Sequence, residues 1–145
     1  MRKIALIISS VAIMGITACR GTKDEKPANN EKSEAITITG TTWQLQSLNG
    51  DSDLSSFTNG KPEITFTADN TVNGNGGCNT YSGSYKLDDT GNISISRIMS
   101  TKMYCNGVPE SEYYKVLESA DTINIGEELV IKSNGNITAT FKAKE

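Results

Sequence analysis

From residue 35 to residue 145 the apolar residues fall into short alternating runs broken by Gly, Asn and Asp, and this rhythm constrains the fold more than any other feature of the chain. A period of two belongs to strands with one buried face. The runs predict strands at residues 42–48, 63–67, 71–75, 80–87, 93–97, 122–125, 128–133 and 137–143. In the first, Trp43, Leu45 and Ser47 are expected to share one face, and Gln44, Gln46 and Leu48 the other. Ile64 with Phe66, Ile93 with Ile95, and Leu129 with Ile131 pair in the same way. Turn residues separate the runs: Asn49-Gly50, Asp69-Asn70, Asp89 to Asn92, Gly126-Glu127 and Asn134-Gly135. The last is the strongest hairpin signal, because both residues tolerate the positive φ of a type I′ turn.

A single helix interrupts the strands. Pro109 suits a first turn, where a missing N–H costs nothing. Glu110 and Glu112 suit the positive end of the helix dipole. Tyr113, Val116, Leu117 and Ala120 follow at helical spacing, with Tyr114 at the edge of that apolar face. The expected fold is therefore mainly β (α+β): an antiparallel sheet of seven or eight short strands, curled or closed into a barrel-like shell, with one helix.

The first residues read differently. Arg2 and Lys3 precede an apolar run over residues 4–16, then Thr17, Ala18 and Cys19. Charge, length and small exit residues predict a signal peptide over residues 1–18. The run is too short for a permanent span, which needs about 20 apolar residues. Ile16-Thr17-Ala18-Cys19 resembles the bacterial lipobox, which implies lipidation of the Cys19 thiol and cleavage before it. Two or three acyl chains suffice for stable anchoring. Residues 20–34 hold no large apolar side chain and many charges, the composition of a disordered tether. Lys23-Asp24-Glu25 is either a solvated charge run or a match to the acidic export signal of some surface lipoproteins. The domains expected are a leader (1–18), a lipidated cysteine with its tether (19–34) and a folded domain (35–145).

The formal charge is −3, and about −5 without Arg2 and Lys3. No basic patch is interleaved with aromatics, so nucleic acid is not an expected partner. The chain contains no histidine. That excludes histidine triads, histidine zinc sites and the usual general base near neutral pH. The carboxylate pairs Asp88-Asp89 and Glu127-Glu128 fall at turns and read as solvated surface. Asp51-x-Asp53 begins like a calcium loop but lacks the glycine and closing glutamate of an EF-hand. No catalytic residue, metal site or cofactor is assigned.

The densest motif is Gly74 to Tyr85, which contains Gly-Gly-Cys-Asn-Thr-Tyr-Ser-Gly-Ser-Tyr from Gly76. Gly74, Gly76 and Gly77 give backbone freedom at a tight connection. Asn79 is expected to bond its own backbone and hold the turn. Tyr81, Gly83 and Tyr85 share one strand face, and Gly83 between two tyrosines predicts a bend, a bulge or a close approach. No Lys-Ser or Lys-Thr follows, so the run is not a phosphate loop. Cys78 and Cys105 are the cysteines left beside Cys19. In an oxidising compartment two thiols form a disulfide. Packed thiols are one alternative. A Cu(I) site of Met99, Met103, Cys105 and Cys78 is another, although methionines more often fill a core.

Thr42-Trp43-Gln44-Leu45, Leu48-Asn49-Gly50, Ile64-Thr65-Phe66, the Gly74 to Tyr85 run, Ser100-Thr101-Lys102-Met103-Tyr104-Cys105, Glu112-Tyr113-Tyr114 with Leu117, and Gly126 to Ile131 occur in this order. Together they resemble the META domain, also called the HslJ-like domain, of bacterial envelope lipoproteins, over residues 41–142. The Gly-Cys-Asn-x-Tyr-x-Gly-x-Tyr and Ser-Thr-x-Met-x-Cys runs are its most specific parts. Tyr104 departs from the small residue common before the second cysteine. The resemblance implies a small β-rich fold with one helix and a cell-envelope location. Some members are associated with heat or envelope stress, and no enzymatic activity is implied.

The functional expectation is a non-enzymatic domain, anchored by lipid in the bacterial cell envelope at the outer membrane, that binds an envelope protein or lipid or supports stress tolerance. The alternative is a binder of a small apolar ligand or lipid inside the shell, and after it the Cu(I) protein.

Overall fold

The computed structural model describes residues 38–145. Eight strands and one helix follow in chain order: β1 (Thr42–Leu48), β2 (Glu63–Phe66), β3 (Thr71–Asn75), β4 (Thr80–Leu87), β5 (Ile93–Ser100), α1 (Glu110–Glu118), β6 (Thr122–Ile125), β7 (Glu128–Ser133) and β8 (Asn136–Ala143). They form one antiparallel sheet in the order β5-β4-β3-β2-β1-β8-β7-β6. Each neighbour is the next strand along, joined by a short turn except for the longer loop of residues 49–62 between β1 and β2, until β8 returns to lie beside β1.

The edge strands β5 and β6 are consecutive in the chain, and α1 joins them. The sheet curls until these edges touch at a single bridge, Asn92 to Thr122. Ile93 N donates to Asp121 O at 3.0 Å and Ile123 N to Gly91 O at 2.8 Å. The ladder goes no further, so the shell is curled but unclosed, and α1 packs against β5.

The interior is filled. Trp43, Leu45, Ile64, Phe66, Val72, Tyr113, Leu117, Leu129, Ile131 and Phe141 are essentially fully buried. Side chains of this kind contribute about 1.5–3 kcal/mol each by leaving water. Tyr113 sets its ring edge-on against Phe141, which carries the helix face into the sheet's concave side. Trp43 Nε1 is the one fully buried side-chain nitrogen or oxygen without a partner among the described residues.

The alternation predicted the inward faces of β1, β2, β4, β5 and β7, with one correction. The pairing of β1 with β8 shifts between Leu45 and Ser47. That bulge inserts one residue and reverses the faces beyond it. Leu48, not Ser47, turns inward, and Ser47 Oγ meets Thr140 Oγ1 at 2.7 Å. Strand β5 runs three residues past its predicted end, because a second bulge lets pairing with β4 resume at Met99 and Ser100. Pro109 stands one position before the helix, at its N-cap, where its carbonyl accepts from Glu112 N and Tyr113 N. Asn134 and Gly135 both have positive φ, as the type I′ signal requires.

Candidate functional site

The motif around Cys78 lies where the start of β4 meets the end of β5 and the start of α1. Cys78 and Cys105 are joined by a disulfide with Cα atoms 6.0 Å apart. The glycines permit the close packing. Gly77 has φ +99°, and a Cβ there would strike the Phe57 ring. A Cβ on Gly74 would overlap the Glu63 carbonyl.

Asn79 is the only buried polar or charged residue in the described core, at 4% exposure. Its role differs from the one expected of it. The local turn is held by Asn75 Oδ1, which accepts from Gly77 N at 2.7 Å. Asn79 instead reaches across three segments. Its Nδ2 donates to Glu110 Oε2 at 2.7 Å and to Met103 O at 3.2 Å. Its Oδ1 accepts from Met103 N at 2.7 Å and Thr101 Oγ1 at 2.8 Å. Its own N–H donates to Glu110 Oε1 at 2.6 Å. Every polar atom of the side chain is satisfied, which is the condition for burying it at low cost.

Below it, Tyr81 and Tyr113 place their hydroxyls 3.1 Å apart, and both reach the Glu63 carbonyl. Burial pushes both phenols well above their usual range. Tyr114 is shifted the same way by burial, and then by its hydrogen bond to and the charge of Glu110. Phenols held this firmly protonated are poor acids or bases near pH 7. The corner is a structural knot.

The other residues singled out in the sequence are not brought together. Met99 and Met103 are 73% and 61% exposed, so they are not core filler. Both remaining sulfurs of the proposed Cu(I) set are in the disulfide. Among the described residues no three His, Cys, Asp or Glu side chains are grouped to hold a metal. Asp51 and Asp53 accept the backbone N–H two residues ahead of each. Asp88 takes the Thr90 and Asn92 donors of its own turn, and the Thr90 hydroxyl above all holds its carboxyl well below the usual range. Cys19, the leader and the tether lie outside the described residues.

A site missed in the sequence lies on the outer face of β3, β4 and β5. It is a trough of about 600 Å³, floored by Ser84, Ser94 and Ser96 and flanked by Lys86, Arg97 and the Asp69-Asn70 turn. Thr71, Ser84 and Ser96 are cross-strand neighbours in one row, and Lys86 faces Ser94 in the next. Small hydroxyl side chains between long rims make the depression. Hydrogen bonds from the Thr67 and Thr71 hydroxyls hold the Asp69 carboxyl below its usual range. Arg97 sits in the β5 bulge opposite Gly83, with φ +57°. The alternating serines were visible in the sequence. Their convergence across three strands was not, because the bulge sets the register.

A family model for the META domain matches residues 36–145. No curated protein matches the chain. Three solved structures share the fold. An NMR structure of an unspecified protein is 24% identical, with 72% of this chain and 90% of that one covered, at TM-score 0.57. An NMR structure from Burkholderia xenovorans is 22% identical, covering 74% and 83%, at 0.59. A crystal structure of a DUF4847 family protein from Bacteroides vulgatus is 19% identical, covering 72% and 93%, at 0.52. The family match covers most of the chain and includes the Cys78 knot and the helix that caps it, so the protein belongs to the META domain family.

Proposed function

We propose that this protein is a non-enzymatic, lipid-anchored domain of the bacterial cell envelope, at the outer membrane, that binds an envelope partner through the outer face of its sheet and so supports envelope stress tolerance. The observation that carries the reading is the Cys78–Cys105 disulfide. Structural disulfides persist in oxidising compartments, which supports export of the chain. Two of its three cysteines are taken up by each other, and the third, Cys19, stands in a lipobox-like run behind an apolar leader. A non-enzymatic role is supported by the absence of histidine from the chain and by tyrosines whose pKa values are raised rather than tuned toward neutrality. The trough supplies a recognition surface of the volume typical of ligand sites. The interior is occupied by its own side chains, and the Cu(I) set has lost its thiols, so neither alternative gains support.

The test is labelling of expressing bacteria with an alkyne analogue of palmitate, followed by fractionation. The wild-type chain is expected to take the label and sediment with membranes, and Cys19→Ser to do neither. A wild-type chain that stays unlabelled and soluble overturns the anchor. Specific turnover by the purified protein, found in a broad hydrolase screen, overturns the non-enzymatic reading.

A further inference from the structure

Among the described residues, four non-glycine residues have positive φ. Three are asparagines at turns, Asn49, Asn70 and Asn134, and the fourth is Arg97. Asparagine tolerates the left-handed region because its short side chain bonds locally, whereas a long side chain does not. A bulge needing only its geometry would be better served by Gly or Asn. Arginine at this position is therefore unexplained by the fold. A residue held in a disfavoured conformation at the rim of a cavity points to a functional requirement for its side chain.

The surroundings say what the guanidinium meets. Two ion pairs, Lys142 with Glu128 and Lys144 with Glu63, are formed among the described residues, and neither Arg97 nor Lys86 takes part in them. One carboxylate, that of Asp69, lines the trough, and its partners are neutral threonine hydroxyls rather than either cation. Asp69 accepts the Thr71 hydroxyl at 2.9 Å, and Asp88 accepts four hydrogen bonds from Thr90 and Asn92. The trough thus presents two cations against one carboxylate, a net positive site, over hydroxyls that both donate and accept. Arginine favours bidentate contact with oxyanions. At about 600 Å³ the space exceeds what a bare phosphate needs, and its lining joins serine and threonine hydroxyls to Tyr85 and Leu87, which suits the hydroxyls and C–H faces of a sugar-like body.

We infer that the trough is a binding site for a phosphorylated sugar or similar polyol phosphate, with Arg97 and Lys86 holding the phosphate and Ser84, Ser94 and Ser96 meeting ring hydroxyls. This rests on the reading of the outer face as the recognition surface. Its failure is separable from that of the anchor, which the palmitate label tests without any ligand. The phosphate could arrive on a soluble sugar or on a lipid headgroup, and the same contacts serve both.

The experiment is calorimetric titration of the purified full chain with glucose 1-phosphate and with glucose, beside co-sedimentation with vesicles of phosphatidylinositol or phosphatidylcholine. Binding is expected to glucose 1-phosphate, to phosphatidylinositol vesicles, or to both, the stronger carrier identifying the source, with glucose and phosphatidylcholine at least tenfold weaker. Arg97→Asn is expected to weaken binding about tenfold or more while raising Tm by about 2–4 °C through relief of the backbone. Lys86→Ala, at an exposed strand position, should weaken binding with Tm unchanged. Binding to neither carrier, equal binding of glucose, or unaltered affinity in both variants would overturn the inference.

Discussion

The knot around Asn79 and the trough around Arg97 occupy opposite halves of the same β4–β5 hairpin and use polar groups in opposite ways. In the knot every donor and acceptor of Asn79 is paired, across the Met103 segment and the first turn of α1. In the trough two cations form no ion pair among the described residues and stand with the Asp69 carboxylate around small hydroxyls. The knot is the part of the molecule most heavily marked in the sequence, by three glycines, a cysteine and two tyrosines, and it is structural. The trough takes only Ser84 and Tyr85 from that motif and is otherwise lined by residues that no motif marks. Local concentration of unusual residues here reports where the chain packs tightly, whereas the trough is lined mostly by ordinary residues on the exposed face of the sheet.

This contrast makes ordered predictions. Replacing Cys78 and Cys105 together by Ala should destabilise most, by about 3–4 kcal/mol, because the bond closes a loop across a separation of 27 residues. Urea unfolding measures this, and glucose 1-phosphate affinity of the folded fraction should stay within about twofold. A tenfold loss would couple knot and trough. Next is Asn79→Ala, expected to cost about 2–3 kcal/mol, since it strands the Glu110 carboxylate and the Met103 amide. If urea unfolding shows a loss below about 0.5 kcal/mol, Asn79 does not tie the segments together.

A smaller effect follows from the buried phenols. Their folded pKa values are raised, so their contribution is complete below the unfolded value near 10 and declines as pH rises above it. Stability should be flat with respect to these groups from pH 7 to 9. It should then fall by about 1.4 kcal/mol per pH unit for each of Tyr81 and Tyr113 above pH 10. Denaturant midpoints across pH 8–11 test this, with Tyr113→Phe reducing the slope. An unchanged slope in that variant would mean Tyr113 is not a source of the alkaline loss.

Much of the fold was legible because burial on one face of a strand writes a period of two into the chain. Five of the eight strands, β1, β2, β4, β5 and β7, carry it in the residues read above, and Asn134-Gly135 fixes its hairpin through backbone chemistry alone. What escaped depends on bulges. Leu48 and Ser47 exchange faces through a register shift that no local residue announces. Met99 and Met103 are apolar by type, yet the β5 extension and the loop after it hold them in solvent. Asn79 looked like a turn residue because Asn commonly is one. Its partners are about 22 to 31 residues away, beyond the reach of local reasoning. The trough required both the β5 bulge and the alignment of serines across neighbouring strands.

The division of labour along β4–β5 is tested most directly by amide chemical shifts of the isotopically labelled full chain during titration with glucose 1-phosphate. Shifts confined to Ser84, Lys86, Ser94, Ser96 and Arg97, with Cys78, Asn79 and Cys105 unmoved, are the predicted result. Shifts centred on Asn79 and the disulfide, with the serine rows silent, would contradict it.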